Sequence, residues 1–283
     1  MDKDKIIILL NKDLEDEHAA IIQYLSHAYA IGEGEMACEI EAISREEMRH
    51  LDWLAEAIVE LGGTPSLVRG KMLLEGKFVA KWMENNVFLE DGAIAQYKEH
   101  IKLTSDPMIK RLLRRILSDE EAHRDQFKRF VEKAKVEGVE DLRGIRQDKV
   151  IQLLNWAIEH EYTVILQYMF HSYMTTNKAA KKELEDQAIN EMQHLGWLAE
   201  AIVDIGGSPM IEHTEIDQSI KNASMLRADI EIESEVAIEY DRAAKEFADP
   251  NLKKLLFRMR DHELYHDEIF SDLLKGGKHQ IKD

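Results

Sequence analysis

Residues 47–65 read EMRHLDWLAEAIVELGGTP, and residues 191–209 read EMQHLGWLAEAIVDIGGSP. Fourteen of these nineteen positions are identical, at an offset of 144. The same offset aligns LLNKDLEDEHAAIIQYLSHAY from Leu9 with LLNWAIEHEYTVILQYMFHSY from Leu153. Asp106-Pro107 then matches Asp249-Pro250 at an offset of 143, so one residue was lost in between. The chain is one unit of roughly 140 residues written twice, a normal domain length. Gly138 and Gly144 break a helical pattern between the copies, which places the expected domains at residues 1–140 and 147–277.

Within 47–65, Glu47, His50, Leu54, Ala57 and Leu61 recur at helical spacing. The helix stops at Gly62-Gly63, with Pro65 beyond. Three further helices follow in each copy from the same periodicity. In the first copy they are marked by Leu10, Leu14, Ile21 and Tyr24, by Ile94, Tyr97 and Ile101, and by Leu113, Ile116, Phe127 and Phe130. About twenty residues link the second helix to the third, long enough to cross a bundle from end to end. The expected fold is therefore all-α: two tandem four-helix bundles, each with a long crossover between helices two and three.

Carboxylates and histidines interrupt the apolar stripes. Glu17, Glu47, His50, Glu90, Glu120 and His123 fall on core-facing positions of the first copy. Glu161, Glu191, His194, Glu233, Glu263 and His266 do so in the second. Each copy holds two ExxH motifs, whose Glu and His lie one turn apart on one helix face. Four ionised carboxylates in a bundle core each cost several kcal/mol when unpaired. Lys and Arg are missing from these stripes, so two divalent cations are the expected counter-charge, +4 against four glutamates. Glu, ExxH, Glu, ExxH is the di-metal carboxylate pattern of four-helix bundles. A lone ExxH would be a surface pair and a lone buried Glu a protonated one; four in register argue for metal.

At these residues the sequence resembles the ferritin-like superfamily, and bacterioferritins most. LNKDLEDEHAAIIQY resembles their first helix with Glu17 as ligand, EEMRHLDW the second with Glu47 and His50, and RRILSDEEAHRDQF the fourth with Glu120 and His123. Glu90 and Glu233, each seven residues before a Tyr, fill the third-helix position. The resemblance implies a non-haem di-iron centre in each copy, hence two per chain. It also implies an oxidoreductase that acts on Fe(II) with O2 or peroxide, re-reduced by an external electron donor. A di-manganese catalase and a non-catalytic iron-sequestering protein are the alternatives. Departures bear on this: each copy ends soon after helix four, without the short fifth helix of cage-forming relatives, and no rubredoxin-type cysteine pairs are present. The resemblance further implies that the two bundles pair within the chain about a pseudo-two-fold axis, with a homo-oligomer as a further option.

Tyr24 and Tyr168 lie two turns from the helix-one Glu, with Tyr97 and Tyr240 likewise on helix three. They read either as core aromatics with the hydroxyl on a carboxylate or as transient electron donors to the metals. Met48 and Met192 stand where bacterioferritins place a haem-ligating Met, which makes haem a candidate cofactor against plain packing. Trp53 and Trp197 are expected to pack, and His27 and His171, beside the stripe, to lie at a surface or interface. A net charge of −18 disfavours nucleic acid and anionic lipid and suits cations. The start MDKDK lacks a signal-peptide layout, no apolar run is long enough to span a membrane, and one cysteine, Cys38, allows no intrachain disulfide. A reducing cytoplasm is the expected location.

Overall fold

The computed structural model describes residues 2–137 and 148–276. The described residues form eight helices: α1 (Lys3–Ile31), α2 (Glu35–Glu60), α3 (Val79–Leu103), α4 (Pro107–Glu137), α5 (Lys149–Met174), α6 (Lys178–Asp204), α7 (Asn222–Glu246) and α8 (Pro250–Leu274). Two compact units result, one built on α1–α4 and the other on α5–α8. The expected join between residues 140 and 147 lies outside the described residues. Among the described helices, none is long and apolar enough to cross a membrane.

Local chemistry sets the helix ends. Asp106 Oδ1 accepts from the backbone N–H groups of Met108 and Ile109 at the start of α4. Asp249 does the same for Asn251 and Leu252, with Pro250 as the first residue of α8. An N-cap carboxylate followed by proline satisfies donors the helix itself cannot. Asp148 and Asn177 cap α5 and α6 in the same way. Gly62, at φ +75°, and Gly206, at φ +79°, take the left-handed turn that ends α2 and α6.

In each unit the first two helices form one hairpin and the last two another, and the hairpins meet through α1 and α3 or α5 and α7. The crossover determines direction. Thr64 O accepts from Asn11 Nδ2 (3.1 Å), Gly70 N donates to Glu15 O (2.8 Å), and Leu73 N donates to Gln23 Oε1 (2.6 Å). The strap thus climbs α1 from Asn11 to Gln23, about 18 Å at 1.5 Å per residue, and delivers α3 parallel to α2. At Gly70 an added Cβ would sit 2.8 Å from Glu15 O, so only glycine permits this approach. The second strap climbs α5 likewise: Met210 N donates to Asn155 Oδ1, and Asp217 N to Gln167 Oε1.

With strap and helices on every side, α1 is buried continuously from His18 to Tyr24, and α5 from Glu161 to Tyr168. This corrects the expectation for His27 and His171, both of which are buried. His27 Nδ1 pairs with Asn86 Oδ1 (2.9 Å), and His171 Nδ1 with Asp229 Oδ1 (2.9 Å). Apolar layers close the bundle below the polar centre, with Tyr24, Ile40, Trp82, Met83 and Phe127 in the first unit. Tyr168, Leu184, Leu226 and Phe270 do so in the second.

Candidate metal centres

All twelve core-facing carboxylates and imidazoles are buried, and they gather into one cluster per unit. In the first, ligand atoms of Glu17, Glu47, His50 and Glu120 lie within 4.8 Å of one another, as do those of Glu47, Glu90, Glu120 and His123. Glu47 and Glu120 belong to both sets. The second unit repeats this with Glu161, Glu191, His194 and Glu263, and with Glu191, Glu233, Glu263 and His266. Two adjoining four-ligand sets that share two carboxylates are the donor arrangement for two bridged cations.

The histidines turn Nδ1 inward. His50 Nδ1 lies 2.7 Å from Glu47 Oε2 and 2.9 Å from Glu120 Oε1, and His123 Nδ1 lies 2.8 Å from Glu47 Oε1. His194 Nδ1 is 2.7 Å from Glu191 Oε2, and His266 Nδ1 is 2.6 Å from Glu191 Oε1. Several of these atoms lack a hydrogen bond of acceptable geometry, among them Glu47 Oε1, Glu120 Oε1, His123 Nδ1, both oxygens of Glu191 and His266 Nδ1. Buried polar atoms are seldom left so. Among the described residues, the ion-pair partners of the eight glutamates are histidines alone. Such orphans, carboxylate oxygens and imidazole nitrogens in one dry cluster, fit a pair of divalent ions.

Electrostatics describe the metal-free cluster. Burial, reinforced by the charge of Glu47, pushes Glu17 up to about 8. Burial, with Glu47 and Glu17 adding to it, takes Glu120 up to about 8 as well. Glu90 stands well above the carboxylate range through burial and its neighbour Glu120. For Glu47 burial is outweighed by His123 and His50, and it stays well below that range. Burial opposes a charge on His123, but Glu47 wins and raises it to about 10; His50 is raised further by Glu120, Glu17 and Glu47. Without metal, Glu47 is thus the carboxylate held ionised between the two imidazoles, while burial drives Glu17, Glu90 and Glu120 towards their protonated forms. In the second unit Glu161 and Glu233 are raised, chiefly by burial. Glu191 and Glu263 are lowered, because His194 and His266 together outweigh burial.

Tyrosines brace the outer glutamates reciprocally. Tyr24 on α1 donates to Glu90 Oε1 on α3 (2.6 Å), while Tyr97 on α3 donates back to Glu17 on α1. Tyr168 donates to Glu233, and Tyr240 to Glu161. Burial and the adjacent carboxylates raise the phenols of Tyr24, Tyr97 and Tyr240, which keeps each a donor. The seven-residue Glu-to-Tyr spacing on two antiparallel helices produces this exchange. Met48 and Met192 are half-buried, one position along from Glu47 and Glu191. Trp53 and Trp197 are half-buried beneath the guanidinium groups of Arg115 (4.6 Å) and Arg258 (3.9 Å).

Sequence reasoning missed the partners behind the histidines. His50 Nε2 faces Asp119 Oδ2 (3.3 Å), and His123 Nε2 faces Glu46 Oε2 (2.8 Å). In the second unit His262 and Asn190 occupy these places, and His194 Nε2 meets His262 Nδ1 at 2.8 Å. The signal was present: each partner directly precedes a ligand glutamate, at the positions where the two copies disagree.

A ferritin-like domain profile matches residues 7–136 and again residues 151–278. The chain is 35% identical to the bacterioferritin of Desulfovibrio desulfuricans over 127 residues, 43% of this chain and 71% of that protein. It is 30% identical to a bacterioferritin of Mycobacterium tuberculosis over 133 residues, 45% of this chain and 84% of that one. Similar solved structures include the D. desulfuricans bacterioferritin, described with its diiron site in different catalytic states (TM-score 0.44, 33% identity, 47% of this chain and 81% of that chain). With the profile matched on both halves and the ligand pattern written twice, the chain belongs to the ferritin-like di-iron superfamily as a tandem pair of its domains.

Proposed function

We propose that each bundle holds two metal ions, iron in the first instance, and that the protein is an oxidoreductase that oxidises Fe(II) with O2 or peroxide. The observation that carries this reading is the pair of four-ligand sets sharing two buried carboxylates in each unit. Similarity to bacterioferritins, one described with a diiron site in several catalytic states, supports iron. When bound, a pair of adjacent redox metals supplies two electrons at one site. Glu47, Glu120, Glu191 and Glu263, each common to both ligand sets of its unit, would serve both ions, and Glu17, Glu90, Glu161 and Glu233 would each hold one ion together with a histidine. Tyr24, Tyr97, Tyr168 and Tyr240 position the terminal carboxylates by donating to one oxygen each, leaving the other for metal. Burial of the cluster residues lowers the local dielectric and strengthens every charge contact.

Multiple turnovers of Fe(II) oxidation per chain, with Fe(II) loaded anaerobically and measured O2 or peroxide then added, support the enzyme. A single stoichiometric oxidation without turnover supports iron sequestration instead. Protein isolated with manganese that disproportionates peroxide and leaves Fe(II) untouched would overturn the iron reading.

A further inference from the structure

The two units differ in the side chains that α1 and α3, or α5 and α7, present beside their clusters. A cavity of about 250 Å³ lies between α1 and α3 in the first unit. Lys12, Phe88 and Gly92, all exposed, stand at its rim, and the buried carboxylates of Glu17, Glu90 and Glu120 at its floor. Small side chains keep it clear: Ala20 lines it from α1, and Gly92 and Ala93 from α3. Lys12 and Asp16, paired at 2.5 Å, both line it.

At the equivalent positions of the second unit five of the lining side chains are larger, while Asp13 and Phe88 give way to the smaller Ala157 and Glu231. Trp156 replaces Lys12, His160 replaces Asp16, Val164 replaces Ala20, Glu235 replaces Gly92 and Val236 replaces Ala93. Val164 and Val236 are buried. The Trp156 ring meets Tyr240 edge-on, centroids 6.1 Å apart, and stacks beside His160 at 6.1 Å. Tyr240 in turn donates to Glu161. The Trp156 indole, 36% exposed, thus packs edge-on against the phenol that holds a cluster carboxylate.

We propose that the first centre takes up divalent cations directly through this cavity, whereas Trp156, with His160, Val164 and Val236, seals the corresponding way into the second. The inference rests on reading each cluster as a two-metal centre. A sealed site loads only when the bundle opens locally, so its metal uptake waits on a rarer event.

The test is stopped-flow addition of Co(II) to the full-length metal-free protein, followed by its visible absorbance. Two phases of equal amplitude are expected, the slow one at least about tenfold slower because it needs local opening. Glu191→Ala with His194→Ala should leave the fast phase alone. Trp156→Ala should accelerate the slow phase, and Lys12→Trp with Ala93→Val should retard the fast one. Should that double variant misfold by circular dichroism, the Trp156→Ala result decides. Fewer than four Co(II) at equilibrium in the native protein would defeat the two-metal reading itself. Four bound in a single phase, or a slow phase that Trp156→Ala leaves unchanged, would overturn the sealed centre while sparing that reading.

Discussion

His194 Nε2 lies 2.8 Å from the imidazole of His262, whereas its counterpart His50 turns Nε2 to the carboxylate of Asp119 at 3.3 Å. A carboxylate behind a metal-bound imidazole fixes its tautomer and makes the inner nitrogen a stronger donor. His123 has such a support in Glu46, while Asn190 stands at that place in the second unit. The first centre should therefore bind metal more tightly. Asp119→Asn is expected to weaken it about 10–100-fold, the range typical of outer-shell losses, with the second centre unaffected. Chelator competition resolves the two; equal affinities in the native protein would refute the expectation.

Stoichiometry is the second prediction. Anaerobic Fe(II) titration should saturate at four ions per chain, two for each shared-carboxylate cluster. Glu47→Ala with His50→Ala should remove the first pair and spare the second, since the clusters share no residue. Saturation of the native chain at two would mean that one cluster is no metal site.

Loading should release protons. Burial and neighbouring charges push Glu17, Glu90, Glu120, His50 and His123 towards their protonated forms, as they do Glu161, Glu233, His194 and His266. Calorimetry in buffers of different ionisation enthalpy should show net proton release on loading, because ligands bind deprotonated. A release near zero would contradict the protonation pattern.

The same shifts set the pH dependence of stability without metal. Glu17 and Glu120 are raised in the fold, to about 8, so their contribution is complete below their unfolded values near 4.5. It is lost as pH rises towards 8. His123, raised to about 10, acts in the same direction between its unfolded value near 6.5 and 10. The metal-free protein should accordingly melt lower at pH 8 than at pH 6, and metal should restore more at the higher pH. Ions at a hundred times their Kd add about 2.7 kcal/mol, or roughly 5–10 °C in Tm for a domain of this size. A gap between loaded and metal-free Tm that shrinks from pH 6 to pH 8 would reverse the assignment.

Tyr97→Phe separates bracing from electron donation. Removing the phenol strips Glu17 of its neutral donor, a change worth about 1–3 kcal/mol for a buried acceptor left unsatisfied. Weaker binding at the first centre is expected, with the stoichiometry unchanged. Tyr24→Phe should do the same through Glu90. Loss of a transient tyrosyl radical signal with metal affinity intact would instead assign Tyr24 to electron transfer.

How much of this was legible in the sequence follows from periodicity. A three-residue Glu-to-His step fixes two side chains on one helix face whatever surrounds the helix, so eight of the twelve cluster residues could be read from it; Glu17, Glu90, Glu161 and Glu233 were read from their places in the apolar stripes, helped by repetition. The Tyr-to-Glu exchange was half legible: spacing placed each phenol near a carboxylate, but which carboxylate depends on α1 and α3 running antiparallel. His27 and His171 were misjudged because their polar partners, Asn86 and Asp229, lie on α3 and α7, and one helix's stripe does not show which buried polar residues face it. The strap hides the remaining face of α1 and α5, and that contact is made by backbone groups at Gly70, Leu73 and Asp217, which carry no hydropathy signal. The cavity was illegible for a related reason: it depends on which small residues face each other across two helices.

Joining the two units in one polypeptide has a genetic consequence. In a symmetric dimer of a single-domain chain, every substitution is expressed in both halves at once. A tryptophan that closed one centre would close its twin. Here Lys12 and Trp156, or Asp119 and His262, are separate codons that answer to separate selection. Fusion turned a pair obliged to be identical into two sites free to specialise, and the positions where the repeats disagree are a record of that freedom.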